Sequence, residues 1–370
     1  MRYVLAAAFC SAFVIAAALV PLLRKVAPRL GLMAQPGGRR QHRAPMPLGG
    51  GIAILLACAV PVLGAGILSH AWQRDPSIFP VPGALQDYVR GAAGQLPLLL
   101  KVMAGGLAVA VLGLVDDFTR LRAPAKLAAQ FVIAGAVALV PDVRITLFIH
   151  LAWVQVAVTA VWIVLLVNSF NLLDNMDGQS GLVGFLTGGV LLVLALQTAQ
   201  YFIAGLLLAL LGGMLGFLLY NLPPASIFMG DMGSMFIGYM LAVSTTLASF
   251  VTEREVVNPF FPVLVPLVIF AMPLYDVLSV VAIRLHTGRP LMEGDRSHVS
   301  HRLMRLGMSE RTVLLTVGLM VMATSPGATI PYGSPTWRAF IPAIQAAAVI
   351  LVVVLLELAG APRRKDGTPG

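Results

Sequence analysis

Along nearly its whole length the chain alternates long apolar runs with short polar segments, and the runs have the length of membrane spans. Eleven of them, at about 4–23, 48–68, 97–115, 127–141, 149–167, 181–197, 202–220, 234–252, 260–285, 312–330 and 340–359, approach the roughly twenty residues that cross a bilayer as a helix. Inside a bilayer each segment must satisfy its own backbone polar groups, so helices are the expected form. The pattern therefore predicts an all-α polytopic membrane protein with about 11 transmembrane helices. Residues 1–360 form one integral-membrane domain on this reading, and 361–370 a short disordered tail.

Charge orients these spans. The polar segments 24–47, 116–126, 168–180, 221–233, 286–311 and 360–370 carry 6, 3, 0, 0, 5 and 3 Lys or Arg, while the opposite segments hold only Arg74, Arg90, Arg144, Arg254 and Arg338. The positive-inside bias puts the N-terminus outside and the C-terminus in the cytoplasm of the cell membrane. Only Arg2 precedes the first run while Arg24, Lys25 and Arg29 follow it. That is the reverse of a cleaved signal's charge order, so the run is expected to remain as an anchor.

Composition agrees: 58% hydrophobic residues, 11% charged residues and a mean hydropathy of +0.89 exclude a soluble protein. The net charge of +9 is assigned to cytoplasmic loops lying against anionic lipid, with no nucleic-acid partner. Cys10 and Cys58 both fall inside apolar runs, which supports neither a disulfide framework nor a thiolate metal site.

The candidate chemistry sits between the runs. Asn168 to Gly181 reads N-S-F-N-L-L-D-N-M-D-G-Q-S-G, with Asn168, Asn171, Asp174 and Asp177 at three-residue spacing. Each such step drifts by about 60° on a helix, so a straight helix would scatter the four. The helix is expected to end or loosen here, with Gly178 and Gly181 supplying backbone freedom. Two carboxylates and two carboxamides without a Lys or Arg suit a divalent cation, or the donor groups of a nucleobase and ribose. The competing reading is a polar connector.

Further polar groups are predicted on the same side. Asp116 and Asp117 end the third run and Lys126 opens the fourth. Neighbours on a helix diverge by about 100°, so these two carboxylates should not share one role. In N-L-P-P-A-S-I-F-M-G-D-M-G-S, Asp231 stands alone between Gly230 and Gly233, suited to close approach to a ligand or metal or to an N-cap on the eighth span, and Phe228 offers a flat apolar face. In the loop from Arg284 to Leu303, His298 and His301 join Arg289, Arg296 and Arg302 in a cluster suited to phosphate oxygens. Asp276 lies inside the ninth run beside Pro273, either functional or a packing group. No P-loop and no strand-borne dinucleotide fingerprint is present.

Taken together, P-M-P-L-G-G, D-D-F-T-R-L-R-A-P-A-K-L, N-S-F-N-L-L-D-N-M-D-G, F-M-G-D-M-G-S, P-L-Y-D and D-R-S-H-V-S-H-R-L resemble the polyprenyl-phosphate N-acetylhexosamine-1-phosphate transferase family, in that family's order. Its GlcNAc-1-phosphate branch fits better than the phospho-MurNAc-pentapeptide branch. The resemblance implies transfer of a sugar-1-phosphate from a UDP-sugar to a polyprenyl phosphate at the cytoplasmic face, with Mg2+ or Mn2+ as cofactor. It implies Asp231 and Asn171 at the metal, and Asp116, Asp117, Lys126, Asp174, His298 and His301 in the catalytic set. Asn168, Asn221, Asp177, Phe228, Arg289, Arg296 and Arg302 would then bind substrate, with Phe228 against the uracil. Two departures stand out: Ser300 replaces a histidine of the usual H-x-H-H, and Asn175 stands where glycine is common. The alternative from another class is an ion- or lipid-coupled transporter, which would place its carboxylates nearer the bilayer midplane. A homodimer is left open.

Overall fold

The computed structural model describes residues 2–34, 45–146, 150–248, 261–288, 297–329 and 340–360. Helices dominate: α1 (Arg2–Val26), α2 (Gly50–Arg74), α3 (Gly83–Thr119), α4 (Ala123–Ala138), α5 (Ala152–Leu173), α6 (Gln179–Gln197), α7 (Tyr201–Asn221), α8 (Gly230–Leu247), α9 (Phe261–Ile269), α10 (Ala271–Thr287), α11 (Val299–Arg305), α12 (Glu310–Thr324) and α13 (Ile341–Gly360). Between α1 and α2 lies a two-stranded antiparallel ribbon, β1 (Met33–Ala34) with β2 (Met46–Pro47).

Among the described residues seven helices are long and apolar enough to cross a membrane, eight if the bent pair α9–α10 counts as one span, while α4 and most of α13 are shorter apolar helices. The chain is thus an all-α polytopic membrane protein.

Helix α8 is the centre of the bundle, packed against α2, α3, α5, α6 and α7 and buried from Met232 through Thr245. Its small residues permit this enclosure. A Cβ on Gly233 would stand 2.8 Å from Gly51 Cα, so α2 and α8 touch backbone to backbone there. By contrast α1 buries only Ala12, Ala16 and Val20, one narrow stripe four residues apart.

The ninth run departs from the single span that its hydropathy implies. It breaks at Phe270, and the two pieces meet at 77°. Pro273 has no N–H to give the Ile269 carbonyl four residues earlier. The Ser325 hydroxyl donates to that carbonyl instead, at 2.7 Å, so the bend is satisfied from the end of α12.

Candidate active site

Four helix ends, those of α3, α4, α5 and α8, meet at one lysine. Lys126 lies in the first turn of α4, behind Pro124, where fixed φ suits a helix start. Its Nζ donates to Asp231 Oδ2 at 2.6 Å and Asn171 Oδ1 at 2.9 Å, and pairs with Asp116 Oδ2 at 2.6 Å. The Lys126 and Asp116 side chains are 13% and 11% exposed, the Asp231 side chain 28%. These are therefore partly buried charge-assisted contacts, stronger than surface pairs. Asn171 is held in turn, its Nδ2 donating to Ser234 Oγ at 3.0 Å.

Asp116 and Asp117 diverge. Asp116 Oδ1 accepts from the Leu121 backbone N–H at 2.7 Å, closing the turn after α3. Asp117 faces away from Lys126 and accepts from the Asp231 and Met232 N–H groups at 2.9 and 3.2 Å. It caps the N-terminus of α8 from another helix, where α8's own cap residue, Met229, makes no side-chain bond. Gly230 makes room for it: its φ is +71°, and a Cβ there would lie 2.5 Å from Asp117 Oδ2.

The three-residue series divides as α5 ends. Asn168 stays on the helix and donates to Gln130 Oε1 at 2.6 Å, tying α5 to α4 away from the lysine. Asn171 reaches Lys126, Asp174 is the helix's final cap residue, and Gly178 turns the chain with φ +73°. Asp177 Oδ2 accepts from the Ala225 N–H at 2.8 Å, and Asn221 bridges Gly178 N–H and the Ile227 carbonyl at 3.1 and 2.8 Å. Asp177 and Asn221 are both buried and clasp the 174–178 turn to the 222–229 loop. The Phe228 ring is buried too, in a small cluster with Ala27, Leu32, Leu48 and Ala225. Its N–H donates to the Pro47 carbonyl at 2.9 Å.

The histidine turn sits nearby. His298 Nδ1 lies 2.8 Å from Asp276 Oδ2, and the Val299 N–H donates to Asp276 Oδ1 at 2.7 Å. Ser300 Oγ donates to Asn175 Oδ1 at 2.7 Å, so the two departures from the family pattern are bonded to each other. His301 is buried. Arg302 pairs with Glu357 of α13 at 3.1 Å, donates to Ser279 Oγ at 2.8 Å and lies 5.6 Å from the Tyr275 ring centre. Arg289 and Arg296 lie outside the described residues. Sequence reasoning named Asp276 and His298 without pairing them, and it gave no role to Ser234, Gln130 or Glu357. For Asp276 the signal was a carboxylate inside an apolar run; the other three carried none.

A divalent ion fits the donor chemistry at Lys126. Oxygens of Asp116, Asn171 and Asp231 converge on one cationic point. Among the described residues no group of three His, Cys, Asp or Glu could hold a metal ion. The protein's share would therefore be two carboxylates and an amide. That suits Mg2+, which keeps waters and takes substrate phosphate oxygens.

Fold and site together define a polytopic membrane protein with a carboxylate, amide and lysine cluster at one end of its bundle. Residues 99–249, which carry Asp116, Lys126, Asn171 and Asp231, match the model of glycosyl transferase family 4. A decaprenyl-phosphate N-acetylglucosaminephosphotransferase of Mycolicibacterium smegmatis is 30% identical over 361 residues, covering 91% of this chain and 84% of that protein. A probable undecaprenyl-phosphate N-acetylglucosaminyl 1-phosphate transferase of Bacillus subtilis is 27% identical over 354 residues, 94% of this chain and 90% of its own. A phospho-N-acetylmuramoyl-pentapeptide-transferase of Desulforudis audaxviator is 30% identical over 345 residues, 85% of this chain and 93% of its own. The chain belongs to glycosyl transferase family 4 and is an enzyme of the phosphoglycosyl transferase kind.

Proposed function

We propose that the enzyme transfers GlcNAc-1-phosphate from UDP-GlcNAc to undecaprenyl phosphate or a similar polyprenyl phosphate, releasing UMP. The observation that carries this reading is the Lys126 cluster, a preorganised charged site where helix ends meet. The reaction is one in-line displacement: an oxygen of the lipid phosphate attacks the β-phosphorus of the donor, and the bond to the UMP oxygen breaks. Such a step needs positioning and charge neutralisation more than covalent help. Lys126 neutralises phosphate charge, while Asp116 and Asn171 fix the ammonium's position. Asp117 acts at one remove by setting the start of α8 and so the place of Asp231. Asp231, Asn171 and Asp116 would hold Mg2+, which when bound supplies further neutralisation of the diphosphate. A lipid phosphate is already ionised at neutral pH, so a general base is not required.

The eleven-span count, which rests on the apolar runs, and the cytoplasmic C-terminus and site, which rest on the distribution of Lys and Arg, belong to this proposal. Cysteine accessibility tests them: a cysteine at Ser226 should resist an impermeant reagent added outside intact cells, and one at Ser77 should react. Mass spectrometry of the lipid product, from purified protein with undecaprenyl phosphate and a panel of UDP-sugars, tests the reaction. A lipid-diphosphate-GlcNAc is expected. Product only from UDP-MurNAc-pentapeptide would favour the second reading, which the relative from Desulforudis audaxviator supports.

A further inference from the structure

We propose that Asp276 is a positioning residue that fixes His298 with Nδ1–H toward its carboxylate, so that the unprotonated Nε2 accepts a hydrogen bond from a sugar hydroxyl of the nucleotide-sugar donor. The proposal rests on the reaction just described and adds to it a residue that no part of that reaction names.

Asp276 is fully buried on α10, nearly two turns beyond the bend at Phe270. Its two oxygens serve one short segment: Oδ2 faces His298 Nδ1 at 2.8 Å, and Oδ1 accepts the Val299 N–H at 2.7 Å. The nearest arginine along α11, Arg302, is committed to Glu357 and Ser279. The side chain that the structure sets against this carboxylate is the imidazole. A carboxylate on one ring nitrogen decides which nitrogen carries the proton and which way the ring points.

The far side of the ring supplies the independent observation. His298 is 1% exposed, and its buried Nε2 has no hydrogen-bond partner among the described residues. A buried polar atom of this kind is costly unless something pairs with it, and such atoms accordingly mark ligand or water sites. The same turn is stitched to the acidic segment by Ser300 and Asn175. His298 stands two residues before that serine, and a ring nitrogen without a proton suits a hydroxyl donor of the sugar rather than a phosphate oxygen. Pinning of α11 alone would need only the bond to the Val299 N–H, which an asparagine at 276 also accepts. Orientation of His298 needs a group that accepts from both, and only the carboxylate does so. In Asp276→Asn, the amide N–H2 faces Nδ1 and drives the proton to Nε2.

The test combines a spectroscopic and a kinetic arm on the full-length protein in nanodiscs. With 15N-histidine labelling, the chain's six histidines give a small set of signals, and His298 is assigned by its loss in His298→Gln. Wild type should show a protonated Nδ1, and UDP-GlcNAc should shift the Nε2 resonance. A bare Nδ1, or an Nε2 that ignores the donor, overturns the proposal, and neither reading requires turnover. In the kinetic arm, Asp276→Asn should raise KM for the donor about 10- to 100-fold, by analogy with residues that orient metal-binding histidines, with kcat changed much less. His298→Gln should do the same, and the double variant should be no worse than either single one. Additive losses, or a fall confined to kcat, overturn it. If wild type yields no lipid product from any UDP-sugar, the proposed reaction fails, while the Nδ1 signal still decides the pairing.

Discussion

Lys126 is the strongest single test of the site, because one atom makes three of its contacts. In Lys126→Met the stem remains and the ammonium goes. Asp116 and Asp231 lose partners at 2.6 Å, and Asn171 loses a donor at 2.9 Å. Breaking a buried ion pair by removing one member costs about 3–5 kcal/mol because a charge is left uncompensated. The 28% exposure of the Asp231 side chain lets water screen part of that loss, so about 3 kcal/mol is expected. Turnover should fall by more, at least about 100-fold, as when a preorganised charge-stabilising group is removed.

Two assays separate stability from catalysis. UMP release from UDP-GlcNAc and undecaprenyl phosphate gives turnover, and intrinsic fluorescence on heating gives the apparent Tm with and without Mg2+. The variant should melt lower than wild type in EDTA and recover more on adding Mg2+, because two carboxylates then lack a counter-charge. A folded Lys126→Met with wild-type turnover and an unshifted Tm would refute the assignment.

Other perturbations follow from single contacts. Gly230→Ala should cost most of the activity and lower the Tm, since its methyl would meet Asp117 Oδ2 at φ +71°; unchanged activity would mean that Asp117 need not cap α8. Asp116→Asn and Asp117→Asn should lose activity unequally. Only the first removes charge from Lys126, so only it should alter the Mg2+ concentration giving half-maximal rate; equal losses with equal metal dependence would count against the divided geometry. Asn175→Gly and Ser300→Ala should each weaken donor use, with the double variant matching the worse single one, because both delete the same 2.7 Å bond; additive kcat/KM losses would show that the bond is incidental.

Much of this architecture can be read from residue order, and what cannot has physical causes. Hydropathy marks the stretch a bilayer tolerates, not where a helix begins. The third run is apolar from about 97, yet α3 starts at Gly83, because Ala, Leu, Gln and Arg carry a helix through polar surroundings. The run over 260–285 hides its 77° bend for a similar reason: Pro273 shows in the sequence, but the Ser325 hydroxyl that makes the bend affordable lies 56 residues away from the carbonyl it satisfies. At the site, adjacency alone required Asp116 and Asp117 to diverge, and they do. The evenly spaced Asn and Asp residues carried the signal of a broken helix, and α5 does end among them, yet Asn168, Asn171 and Asp177 take three different partners. Contacts such as Lys126 to Asp231, 105 residues apart, leave no trace in spacing.

The charges so assembled make a last prediction about the order of events. Asp116, Asp117 and Asp231 with Lys126 carry a formal charge of minus two. The proposed substrates, a nucleotide diphosphate and a lipid phosphate, are both anions. Asp117 is partly offset by the N-terminus of α8, whose N–H groups it accepts. The other two carboxylates share one ammonium, so the metal-free site should repel its own donor. A bound divalent cation would bring the formal sum to zero, removing the repulsion, and would itself offer positions to the donor's phosphate oxygens. Donor binding should therefore need the metal even where no chemistry takes place. Isothermal titration of the full-length protein with UDP-GlcNAc, without lipid acceptor, should show affinity at least about tenfold weaker in EDTA than in Mg2+, the factor that each 1.4 kcal/mol of lost attraction gives. Asp231→Asn should narrow that gap from both sides, by weakening the metal's hold and by easing the repulsion. If UDP-GlcNAc binds equally well in EDTA, the carboxylates at Lys126 are not what sets the donor's affinity, and the Mg2+ assignment to Asp231 and Asn171 falls with that result.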